Sequence, residues 1–245
     1  MSNQKYIRPP ITEAVIEISF VNPHDKKSFS KAISKFKSSY SGYQELVKYS
    51  LKVDISTTND DAKVTKTPVT THRFSSEDMT EMLLLNDSSI SVAQLAPYSG
   101  WDDFIDRFKK NWSDWKRIAG FNEIKRIGVR YINRLDIPAP DKKIKVENYL
   151  KLYPEIPEEL GVTHMYAVQT MHYLEDIKSH LKINTAQVDS PKPKHIAILI
   201  DQDLSREVEL PQNDAGLITY LKAVRDKKNN IFEACVTDEA RKIFG

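Results

Sequence analysis

The sequence predicts an α+β protein: antiparallel sheet with helices on one face, arranged as two similar halves. Three observations predict it. Several segments alternate apolar and polar residues at the two-residue period of a strand, and short polar turns join them. Other segments carry apolar residues at helical spacing. The order strand, helix, several antiparallel strands, helix reads twice, over residues 1–120 and again over 121–245, as two α+β halves or one fused domain.

In the first half, residues 12–20 place Ala14, Ile16, Ile18 and Phe20 on one face and Glu13 and Glu17 on the other, after the stiff Pro9-Pro10 pair. Asp25 is placed to N-cap a helix striped by Phe29, Ala32, Ile33, Phe36 and Tyr40. Residues 46–55, 69–74, 79–85 and 89–95 read as antiparallel strands, with hairpins at 57–63, 75–78 and Asn86-Asp87. The next helix is capped by Ser99, with Asp102 at capping-box spacing, and ends at Gly120. It holds all three tryptophans, Trp101, Trp112 and Trp115, in one stripe with Phe104, Ile105 and Phe108.

The second half opens on residues 124–137, IKRIGVRYINRLDI. As a strand it puts Arg126, Arg130 and Arg134 on one face with Gly128, Ile132 and Asp136. Ile127, Val129, Tyr131, Leu135 and Ile137 take the other, with Asn133 among them. After the Pro138-Ala139-Pro140 break come a short helix near 146–152 and strands at 164–174, 179–188 and 195–201. A helix over 214–225, with Leu217, Ile218, Leu221 and Val224 on one side, precedes a last helical segment at 231–244 divided by Thr237.

Composition limits the function classes. The 245 residues can bury a full core. Lys+Arg of 36 against Asp+Glu of 34 leaves a net charge of +2, too small to draw the chain to nucleic acid or membrane by bulk charge. Only 7 glycines argue against a phosphate-cradling loop, and one cysteine, Cys235, excludes an intrachain disulfide. The N-terminus has no apolar core of signal-peptide type, and the longest apolar run, 196–200, is too short for a membrane helix. A cytoplasmic protein without membrane association is expected.

Three pieces, PPITEAVIEISF at 9–20, RIGVRYINRLDIP at 126–138 and IFEACVTDEARKIFG at 231–245, together resemble an uncharacterised, sporadically distributed prokaryotic protein family. Its members open on a Pro-Pro-Ile-x-Glu-Ala strand, carry a central Gly-x-Arg-Tyr-x-Asn strand, and end in a helix of Phe-x-x-x-x-Thr-x-x-Ala type. The resemblance spans the whole chain in order. It implies no catalytic residue and no cofactor. Its sporadic distribution implies an accessory role, as in phage defence or toxin–antitoxin systems.

The arginine ladder is the leading candidate site for an anion or a partner. Same-face neighbours lie about 7 Å apart, so Arg126 to Arg134 spans roughly 26 Å, long for one phosphate but suited to a polyanion or an acidic surface. The competing reading is internal pairing, because Glu13 and Glu17 repeat the same spacing on the first strand. Asp201 and Asp203 form a D-x-D at an apparent strand exit, a weak metal candidate with no partnering acidic motif. His164, His172, His180 and His195 are concentrated in one block but lack the close spacing of a zinc ligand pair. The lysines flanking Trp112 and Trp115, Lys109, Lys110 and Lys116, read as the solvated side of a core helix rather than part of a stacking platform for single-stranded nucleic acid. Cys235 reads as a small core residue. No Walker A, G-x-G-x-x-G, G-x-S-x-G or H-E-x-x-H motif is present.

These observations favour a non-enzymatic binding protein that recognises a protein partner through a sheet edge or a cleft. The alternative is a nucleic-acid- or nucleotide-acting protein that sets Arg126, Arg130 and Arg134 on phosphates, with Asp201 and Asp203 holding a metal. A third reading is a small-molecule sensor with its pocket between the halves. The sequence leaves the oligomeric state open.

Overall fold

Strands β1 (Ile11–Phe20) and β6 (Ile124–Pro138) lie side by side at the middle of one nine-stranded antiparallel sheet, with Ile16 opposite Val129. The computed structural model describes residues 6–55, 62–120, 122–141, 143–161 and 163–245. From β1 the chain passes through helix α1 (Lys26–Lys37) to the far edge. It then returns by the meander β2 (Gly42–Ile55), β3 (Ala62–Ser75), β4 (Glu81–Asn86) and β5 (Ser89–Leu95), which closes against β1. Helix α2 (Trp101–Ala119) leads to β6. From β6 the chain goes to the opposite edge and returns through β7 (Ala167–Leu174), β8 (Ser179–Asp189) and β9 (His195–Arg206), which closes against β6. Helices α3 (Asp214–Cys235) and α4 (Asp238–Phe244) finish the chain. The order is β2-β3-β4-β5-β1-β6-β9-β8-β7, so the two halves share a single sheet across the β1–β6 pair.

Alternation sets which face is covered. Ala14, Ile16, Ile18 and Phe20 of β1, Val129, Tyr131 and Leu135 of β6, and Ile198, Ile200 and Leu204 of β9 are all buried toward the helices. Helix α1 packs over β3, α2 over β5, α3 over β9 and α4 over β6. The segment between β6 and β7 lies on the same side, where Leu150 bridges Val236 and the Thr185 hydroxyl donates to the Leu152 carbonyl at 3.0 Å. Trp112 and Trp115 stack near Phe20, at centroid distances of 6.2 and 6.0 Å, and Lys109 and Lys110 point to solvent.

Several boundaries differ from the sequence reading. Asp25 caps α1 as expected, accepting from the Lys27 and Ser28 amides at 3.1 and 3.0 Å. Helix α2, however, starts from Gly100 rather than Ser99 and has no side-chain cap. Gly100 has φ 116°, a conformation that glycine adopts without a Cβ clash, so the chain turns into the helix one residue later. The expected helix at 146–152 is a single 3₁₀ turn at Val146–Asn148. Helix α3 runs unbroken for 22 residues to Cys235, and Thr237 caps α4 through the Ala240 amide at 3.3 Å. Most of the hairpin expected at 57–63 lies outside the described residues. Among the described residues no helix is long and apolar enough to cross a membrane.

Candidate functional site

The face of the sheet opposite the helices carries the arginine ladder, and the structure supplies each arginine with a carboxylate. Arg126 reaches Glu17 on β1 at 3.0 Å, Asp203 on β9 at 3.6 Å and Glu207 at 3.7 Å. Gly128 makes room for this: a Cβ there would meet Arg126 Nη1 at 2.5 Å. Arg130 grips Asp201 at two points, Nε to Oδ1 and Nη2 to Oδ2, both at 2.8 Å. Asn184 on β8 donates to the same carboxylate at 3.1 Å. The hydrogen bonds to Asp201 raise the Arg130 pKa further above its ordinary value, and Glu13 adds to this through space. Arg134 pairs along its own strand with Asp136 at 3.1 Å, and Asp136 also accepts from the Ser190 hydroxyl at 2.8 Å.

Asp201 and Asp203 therefore do not stand at a strand exit. They lie within β9, with Asp203 opposite Arg130 and Asp201 opposite Ile132. Their polarity marks the outward side of a strand that continues to Arg206, with Ile200, Gln202 and Leu204 directed inward. Asp201 is taken by Arg130 and Asn184, and Asp203 lies between Arg126 and Lys182, the latter at 3.7 Å. Among the described residues no cluster of His, Cys, Asp and Glu could hold a metal ion.

The histidines do not converge. His164 precedes β7, His172 bonds the Thr170 hydroxyl at 2.9 Å, His180 lies against Tyr173, and His195 contacts the Pro193 carbonyl at 2.8 Å.

Chemically, the centre of this face is an ion-pair lattice with its charges nearly cancelled. Arg126, Arg130, Arg134 and Lys182 sit among Glu13, Glu17, Asp136, Asp201 and Asp203. A phosphate chain laid along it would have to displace carboxylates from every arginine. Each half-exposed pair contributes about 0.2–1 kcal/mol and is screened by salt.

Strand register carries the lattice to the sheet's edge. One transverse row runs Tyr173, His180, Ser205, Gly128, Glu17 and Ser91. A second runs Met171, Lys182, Asp203, Arg130 and Val15. Both begin on β7, the terminal strand. Its sequence, AVQTMHYL, contains no lysine, arginine, aspartate, glutamate or proline. Met171 is 68% and Tyr173 43% exposed, and among the described residues β7 has no backbone partner on its outer side. The opposite edge, β2, carries Glu45 and Lys48 among its described side chains. Charges of that kind prevent edge-to-edge pairing, and β7 has none. Sequence reasoning missed β7 because its uncharged composition acquires meaning only once the strand order makes it an edge.

No family model matches the chain, and no curated protein matches it significantly. Among solved structures, one similar chain is the Methanococcus jannaschii TBP, at 12% identity and TM-score 0.29 over 89% of this chain and 97% of that one. Another is the di-domain ARO/CYC StfQ from the steffimycin biosynthetic pathway, at 10% identity and TM-score 0.21 over 95% of this chain and 97% of the other. Likeness at these scores carries no argument about fold or function.

Proposed function

We propose that this chain is a cytoplasmic binding protein that takes up an extended segment of a protein partner as an added strand along β7. The observation that carries the reading is the contrast between the sheet's two edges. An open, uncharged edge strand with exposed Met171 and Tyr173 offers main-chain hydrogen bonds for affinity and alternating side chains for specificity. The charge-balanced face beside it would orient a partner through complementary charges without attracting polyanions. A phage-defence or toxin–antitoxin setting for this partner rests on the family resemblance of the motifs at 9–20, 126–138 and 231–245. The nucleic-acid reading is disfavoured by the carboxylate paired with each of Arg126, Arg130 and Arg134.

The test is affinity purification from the native cell of the wild-type chain and of a Met171→Lys/Tyr173→Lys variant, each followed by mass spectrometry and absorbance at 260 and 280 nm. The reading predicts a stoichiometric protein companion that the variant loses while keeping its melting temperature. A companion retained by the variant, or nucleic acid that washes off in salt, contradicts it.

A further inference from the structure

Lys228 is the one lysine of α3 that faces inward. It continues the apolar stripe Leu217, Leu221, Val224 and Phe232, all buried, and is itself 5% exposed. Its ammonium stands 3.9 Å from the centroid of the Tyr131 ring on β6. Among the described residues the ammonium makes no hydrogen bond and no ion pair, while the Lys228 carbonyl accepts from Gln202 Nε2 at 3.2 Å. The nearby charged groups are otherwise engaged. Glu233 accepts from the Tyr6 hydroxyl at 2.7 Å and from Arg241 at 2.9 Å, and Arg225 pairs with Asp226 at 2.9 Å. Asp102 and Asp103 are exposed in the first turn of α2, where they form no pair with Lys228. A ring face offsets only part of the cost of burying an ammonium without a counter-charge.

This lysine lines a cavity of about 460 Å³ between the start of α2, the segment leading into β1, and α3. Tyr98, Trp101 and Phe232 supply an aromatic wall, and Asn133, which is buried, lies at its base. The start of the 19-residue α2, which lacks a side-chain cap, borders the same space through Gly100 and Trp101. A cavity of this size, with an aromatic wall and a buried lysine among polar neighbours that include Arg225, Asp102, Asp103 and Glu233, has the character of a small-ligand site. Burial, with the nearby Arg225 charge adding to it, lowers the Lys228 pKa to about 7.

We propose that the cavity beside Lys228 binds a small organic carboxylate, its anionic head on the Lys228 ammonium and its apolar body against Tyr98, Trp101 and Phe232. A monoanion matches Lys228, because Arg225, the other cation lining the cavity, is paired with Asp226. A dianionic phosphate ester would set a second negative charge against the acidic residues Asp102, Asp103 and Glu233 that line the same cavity. The site lies on the helix side of the sheet, away from the β7 edge, and stands independently of the partner-binding reading.

The test is the thermal melt of the full chain against benzoate, benzamide and phenyl phosphate at matched concentrations, with the Lys228→Met and Lys228→Arg variants alongside. Benzoate should raise the melting temperature in a concentration-dependent way, whereas benzamide and phenyl phosphate should not. Lys228→Met should lose at least tenfold in benzoate affinity, and Lys228→Arg should retain a response. No shift with benzoate, an equal shift with benzamide, or a shift that survives in Lys228→Met overturns the proposal. A response to phenyl phosphate as strong as to benzoate overturns the assignment to carboxylates. The comparison among the three probes on wild-type protein decides the matter even if a variant fails to fold.

Discussion

Arg130 and Asp201 face each other across the β6–β9 boundary in a two-point ion pair, with both contacts at 2.8 Å. The two residues are 71 positions apart in the chain and belong to adjacent strands of the second half. Their pairing commits the middle member of the arginine ladder to the protein's own carboxylate, although the Arg130 side chain remains 48% exposed. The same relationship turns an apparent metal motif into part of the sheet's outer surface.

Removing the arginine leaves Asp201 among Asn184 and strand backbone without its main donor. Arg130→Gln is therefore expected to cost up to about 1 kcal/mol in urea denaturation, since Arg130 is half-exposed and Asn184 keeps its hydrogen bond to Asp201. The double variant with Asp201→Asn should lose less than the sum of the single losses, which a double-mutant cycle measures directly. Strict additivity would mean that the pair is not formed in solution.

Gly128→Ala should be destabilising in the wild-type background and tolerated in Arg126→Ala. The added Cβ pushes on the Arg126 guanidinium, which then loses its approach to Glu17 and Asp203. Without that side chain, alanine should suit a strand at least as well as glycine. Chemical melts of the two single variants and the double variant test this, and an unrelieved loss in the double would point to the backbone instead.

Met171→Lys/Tyr173→Lys should change folding stability by no more than about 0.5 kcal/mol, since both side chains are exposed. The same variant should stay monomeric at concentrations where the wild-type edge promotes self-association, as light scattering would report. A large stability loss would show that β7 depends on these side chains for its place in the sheet.

Lys228 gives the chain a stability that rises with pH. Its folded pKa of about 7 lies below the ordinary 10.5, so between these values the unfolded chain holds a proton that the folded chain lacks. The contribution is complete above the upper value and is lost as pH falls toward the lower one. Lys228→Met should flatten this slope and raise stability at neutral pH by on the order of 1–3 kcal/mol. Denaturation at pH 7 and pH 9.5 checks both effects, and a less stable Lys228→Met would mean that the ammonium is satisfied in solution.

The elements legible in the sequence were those whose pattern is local. The alternation of β1 and β6 and the stripe of α2 follow from nearest spacing, and the common face of Arg126, Arg130 and Arg134 follows from the strand period alone. Glu17 as a partner for Arg126 also follows, once β1 and β6 are neighbours. Asp201 and Asp203 were visible as residues but not as partners, because alternating polarity within β9 resembles the end of an apolar run. Lys228 was hidden for the opposite reason. The polar stretch 226–230 reads as a break between helices, and only the period through Val224 and Phe232 places the lysine on the buried stripe. The importance of β7 depends on strand order, which no local pattern contains.

The most direct measurement is hydrogen–deuterium exchange of the backbone amides in the purified chain, alone and bound to its protein companion. Strand addition predicts new protection along residues 167–174, with β2 unchanged. Protection confined to the arginine face or the helix side, with β7 exchanging as in the free chain, would contradict the account.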